Sequence, residues 1–76
     1  MTNKQLDILI LDELKSFTLD TFVIKNKVNQ TLYKNGSLEK VTTTQVRKRL
    51  HTMVGLVVCK KLESGYLVWS KVWKKF

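Results

Sequence analysis

The chain has 76 residues, 43% of them hydrophobic and 26% charged, with 14 Lys and Arg against 6 Asp and Glu for a formal net charge of +8. A chain this short buries only a little over ~60% of its unfolded surface, which allows one domain (1–76) around one small core. Cys59 is the only cysteine, which excludes an intrachain disulfide and suits a reducing compartment. The longest apolar run near the N-terminus, Ile8-Leu9-Ile10-Leu11, is too short to span a membrane. It also lacks the basic flank and small-residue cleavage site of a signal peptide, so the expectation is a cytoplasmic protein without a membrane partner.

Thr2 and Gln5 stand at capping-box spacing, and Leu6, Ile10, Leu14 and Phe17 follow at helical spacing. This predicts a first helix over 3–16. Ile8 falls nearly opposite Ile10 on the helical wheel and Leu11 lies to one side. Apolar residues off a helix's core face often contact something else, although a lone exposed isoleucine needs no explanation.

Phe17-Thr18-Leu19 is a short extended candidate for the edge of a later sheet. Asp20 is a good N-cap for a second helix, whose buried stripe is Ile24, Val28 and Leu32. Asn35-Gly36 closes it, with Gly36 suited to a left-handed C-terminal position. The same pair could turn a hairpin between 31–34 and 37–41, but the four-residue spacing from Ile24 to Leu32 favours the helix.

Thr42 and Gln45 repeat the capping-box spacing before a third helix, 42–54, with Val46, Leu50 and Met53 buried and Val54 at the stripe's edge. Its opposite face collects Thr44, Lys48 and His51, with Gln45, Arg47 and Thr52 at the margins. After Gly55, the Val-, Leu- and aromatic-rich runs 56–62 and 66–73 flank Glu63-Ser64-Gly65. That pattern predicts a β-hairpin with a three-residue turn.

The charge is segregated along this order. Residues 42–76 hold eight Lys and Arg against Glu63 alone, whereas residues 1–41 hold six lysines against five acids. Such asymmetry is the footprint of a polyanion partner; its bland counterpart is a charge that merely aids solubility.

The element order, with Val46-Arg47-Lys48-Arg49-Leu50, Met53-Val54-Gly55-Leu56-Val57 and Gly65-Tyr66-Leu67-Val68-Trp69, resembles a winged helix-turn-helix domain over almost the whole chain. The fold class expected is therefore α+β: helix, short strand, two helices and a C-terminal hairpin wing. The stretch from Lys34 to Val41 departs from the family's tight turn and suggests a looser link between the second and third helices.

The resemblance implies a sequence-specific double-stranded DNA-binding protein, a small transcriptional regulator, with helix 42–54 in the major groove. Thr44, Gln45, Lys48 and His51 would then face base edges. Phosphate contacts would come from Thr43 and the helix N-terminus, Arg47, Arg49, the wing residues Lys60, Lys61 and Lys71, and the tail residues Lys74 and Lys75.

Neither catalysis nor a cofactor is indicated. His51 and Cys59 are the only histidine and cysteine, too few for a closed zinc site within one chain, and no glycine-rich phosphate loop occurs. Cys59 alternates with Val57 and reads as a small buried hydrophobe. Trp69 is expected to cover the core. Trp73 and Phe76 have three readings: packing on the first helix, a homodimer contact with Ile8 and Leu11, or stacking on unpaired bases. Two rival functions follow, a winged-helix module for an acidic protein partner and an RNA or single-strand binder using the Lys/Trp tail.

Overall fold

The computed structural model describes residues 1–53 and 55–72. Along them run α1 (Asn3–Leu14), β1 (Leu19–Asp20), α2 (Thr21–Lys34), α3 (Thr43–Thr52), β2 (Val57–Lys61) and β3 (Leu67–Lys71). The strands form one antiparallel sheet in the order β1-β3-β2. Three helices, a short strand and a C-terminal hairpin make a small α+β domain with a winged-helix-like arrangement.

Each helix starts at a side chain that captures a first-turn N–H. Thr2 accepts from the Gln5 N–H at 3.2 Å while Gln5 returns a bond from the Thr2 N–H at 2.9 Å. Asp20 accepts from the Val23 N–H at 2.8 Å. Thr42 and Gln45 repeat the reciprocal pair at 3.1 and 2.8 Å. Helix α2 ends as its sequence predicts. Gly36, at φ +77°, takes the left-handed turn, so that the Ser37 N–H reaches the Leu32 carbonyl at 2.9 Å and the Gly36 N–H reaches Tyr33 at 3.0 Å.

The core assembles from four-residue stripes: Leu6, Ile10 and Leu14 of α1, Ile24, Val28 and Leu32 of α2, and Val46 and Leu50 of α3. Val41, Met53, Val57 and Trp69 complete it. Each fully buried aliphatic side chain contributes roughly 1.5–3 kcal/mol relative to exposure. No buried polar side chain lies among the described residues. Trp69, in the central strand opposite Leu19, closes the sheet side of this core. Its indole N–H donates to the Thr21 hydroxyl at 3.1 Å.

The α2–α3 connection is long but not loose. Asn29 acts as a surrogate backbone. Its Oδ1 accepts from the Val41 N–H at 2.8 Å and its Nδ2 donates to the Val41 carbonyl at 3.1 Å. Val41 is thereby seated in the core directly before the Thr42 cap, which fixes where α3 begins.

Three expectations need correction. The third helix, expected over 42–54, runs only Thr43–Thr52, with Thr42 as its N-cap and Met53 as its C-cap. The first helix stops at Leu14, so Phe17 leaves its stripe and is 53% exposed, with the Lys27 ammonium 5.0 Å above its ring. Cys59 is exposed, not buried. It shares a face with Val57 and Trp69, but β2 is an edge strand, and α1 and α2 lie against the central β3. Alternation gave the right face, and the helical cover ends before Cys59.

Val54, Trp73, Lys74, Lys75 and Phe76 lie outside the described residues, so the readings for these positions have no structural counterpart here. Among the described residues no helix is long and apolar enough to cross a membrane.

Candidate nucleic-acid interface

The sequence of α3 gives it two unlike sides. Val46 and Leu50 anchor it in the core, while Thr44, Lys48 and His51 share the opposite, exposed side, with Arg47 beside them. No acid occupies the first turn. The N–H groups of Thr43 and Thr44 have no intrahelical acceptor, as at any helix start, and they lie at the positive end of the helix dipole.

Four of the candidate side chains have intramolecular partners. The Gln45 carbonyl oxygen is held by the Thr42 N–H, so presenting that oxygen to a base edge requires releasing half of the capping box. The His51 ring stands edge-on to Trp69, with centroids 5.3 Å apart and planes at 83°. This couples the last turn of α3 to the central strand of the wing. Arg49 is half-buried and turned toward α1, where its Nε and Nη2 each donate to one Asp7 carboxylate oxygen at 2.7 Å. Donating to the Asp7 carboxylate raises the guanidinium pKa above its ordinary value, with burial opposing and the Asp7 charge adding to the rise. Lys71, half-buried at the base of the wing, also has an intramolecular partner.

Thr44, Arg47 and Lys48 thus form the solvent-facing basic side of α3. Beside them, a hollow of about 380 Å³ opens between the start of α1, the α2–α3 connection and the flank of α3. Lys40, Gln45 and Lys48 line it, and at its rim the N-terminal ammonium of Met1 pairs with Glu39 at 2.7 Å.

On the wing, the register separates the lysines. Lys61 pairs with Leu67 and Lys71 with Val57, on the face that carries Trp69, whereas Lys60 pairs with Val68 on the other. Lys61 lies next to the turn and Lys71 at the far end of the hairpin. The turn itself closes through Gly65, at φ +92°, whose N–H reaches the Leu62 carbonyl at 2.9 Å. Ile8 is exposed at 58%, and Leu11 is half-buried against the core.

Asp7, Asn29 and Thr21, which orient this surface from behind, were not singled out from sequence. Asp7 and Asn29 each follow a buried stripe residue, Leu6 and Val28, and that position at the margin of the core was the available signal. Among the described residues no group of three His, Cys, Asp or Glu could hold a metal ion. No protein-family model, curated protein or solved structure matches the chain, and its winged-helix-like character is read from its own topology.

Proposed function

We propose that this chain binds double-stranded DNA in a sequence-specific manner, as a small transcriptional regulator, with α3 in the major groove and the wing along the phosphate backbone. The observation that carries this reading is the outward side of α3. It is basic, exposed and free of acids, and the core, the Asn29 clamp and the Asp7–Arg49 pair all hold it from behind.

Thr44 and Lys48 reach base edges in this reading, with Lys48 directed at guanine acceptors. Gln45 joins them only by exchanging its capping bond for a base. His51 contributes from the last turn, with its ring plane set by Trp69. The first-turn N–H groups, including that of Thr43, receive a phosphate, and Arg47 and the wing lysines of the engaged face, Lys60 on one side or Lys61 and Lys71 on the other, supply further phosphate contacts. Lys74 and Lys75 add charge from outside the described residues. Arg49, forked onto Asp7, enters as the strut that sets the pitch of α3.

The test is fluorescence anisotropy of a labelled random duplex across a salt series. With three to five phosphates neutralised, log K should fall against log salt with a slope of about −3 to −5. A steep slope would justify selecting a cognate site. Absence of binding even at low salt would remove the DNA reading and turn attention to an acidic protein partner.

A further inference from the structure

The outer rim of β2 is unused in a particular pattern. The Val72 N–H donates to the Leu56 carbonyl at 2.9 Å, and the Leu62 N–H donates to the Tyr66 carbonyl at 2.8 Å. Even-numbered residues of this strand therefore turn their backbone groups toward β3, and alternation turns those of Val57, Cys59 and Lys61 away from it. The Val57 N–H is taken by the Met53 carbonyl at 3.2 Å. Among the described residues nothing hydrogen-bonds the Val57 carbonyl or the backbone groups of Cys59 and Lys61. Beside this open rim, Leu56, Val58 and Leu62 are 49%, 49% and 41% exposed.

We propose that β2 pairs antiparallel with β2 of a second copy of this chain, about a two-fold axis through Cys59. Residues 56–62 read Leu-Val-Val-Cys-Lys-Lys-Leu and are self-complementary about their centre. Leu56 faces Leu62, Val57 faces Lys61, and Val58 faces Lys60. Every lysine meets a valine along its aliphatic stem, and no like charges stand opposite. The two Cys59 residues exchange backbone hydrogen bonds, and each Lys61 N–H donates to the facing Val57 carbonyl.

The neighbouring registers are worse. Centring on Lys60 sets that lysine against itself, and centring on Val58 draws the turn residue Gly55 into the ladder opposite Lys61. The other sheet edge, β1, is only two residues long, so the pairing closes as a dimer instead of propagating. None of this rests on the DNA reading, and the test contains no DNA.

Sedimentation equilibrium of the full chain under reducing conditions should show a reversible dimer. Val58→Lys places the new lysine against Lys60 twice per dimer and should weaken association roughly tenfold. Val58→Lys combined with Lys60→Glu sets opposite charges face to face and should restore it. Circular dichroism verifies that both variants fold.

In this register the two Cys59 Cα atoms lie about 5.5 Å apart, within disulfide range. Diamide should therefore cross-link the wild type faster than Val58→Lys. A wild type that stays monomeric would overturn the proposal, as would a folded double variant that fails to regain the dimer, or equal cross-linking of wild type and Val58→Lys.

Discussion

Arg49 and Asp7 meet fork to fork, Nε on Oδ1 and Nη2 on Oδ2 at 2.7 Å each, across 42 positions of sequence. The contact joins α1 to α3 at the edge of the core. A planar guanidinium suits this geometry and a lysine ammonium does not, because only the former offers two parallel donors. Arg49→Lys should therefore behave more like Arg49→Gln than like the wild type in thermal unfolding. In a double-mutant cycle, Asp7→Asn should cost little once Arg49 has been replaced by Gln. Additive losses from the two changes would show that the pair does not couple the helices.

Asn29 should matter more than its half-buried position suggests. Asn29→Ala leaves both the N–H and the carbonyl of Val41 without their partner, a loss of about 1–3 kcal/mol. The melting temperature should drop by about 4–8 °C for each kcal/mol lost in a domain this small. Asn29→Asp retains the acceptor but faces a carboxylate with the Val41 carbonyl, so it should not rescue. A wild-type melt for either variant would remove the clamp from the account of how α3 is placed.

The capping box separates stability from recognition. Thr42→Ala removes the acceptor for the Gln45 N–H and should cost about 0.5–2 kcal/mol. Gln45→Glu keeps a side-chain oxygen for the Thr42 N–H and should melt close to the wild type. It exchanges an amide for a carboxylate, however, and should weaken duplex binding in anisotropy. Gln45→Glu binding DNA as tightly as the wild type would take that residue out of the interface.

Because Lys60 and Lys61 emerge from opposite faces of the wing, they should not be equivalent on DNA. A wing laid against a duplex by one face engages one of them. A single alanine substitution should then lower the salt slope by about 1 for that lysine and by nearly nothing for the other. Equal reductions from Lys60→Ala and Lys61→Ala would mean that the duplex meets the strand edge-on.

Much of the fold was legible because it is written locally. Capping residues Thr2, Asp20 and Thr42, the stripes through Ile10, Val28 and Leu50, and the turn at Gly65 all act within a few residues of their own position. The end of α1 was missed by two residues because helix ends depend on small differences between continued winding and alternative packing. Exposure of Cys59 was missed for a different reason. Alternation tells which face a strand residue takes, but not how far the helices extend over that face. Asp7–Arg49 and Asn29–Val41 join positions distant in sequence, and no spacing rule pairs them in advance. The candidate interface divides the same way: its exposed residues follow from the helical wheel, whereas the partners that hold His51 and Arg49 lie far off in sequence, and the bond that holds Gln45 ties up the oxygen a base would need.

The Asn29–Val41 clamp divides the α2–α3 connection into two stretches with different freedoms. On one side, Val41 and Thr42 are tied to the core and to the cap of α3. On the other, Leu38 is 99% exposed, and the chain nearby is held by the bond from the Glu39 N–H to the Ser37 hydroxyl and, one residue on from Leu38, by the pairing of Glu39 with the Met1 ammonium. The orientation of α3 is thereby insulated from the length of the loop that precedes it. Added residues, a fluorophore or a peptide tag at Leu38 would be absorbed locally, which makes this position a natural handle for labelling the domain without disturbing the surface that α3 presents.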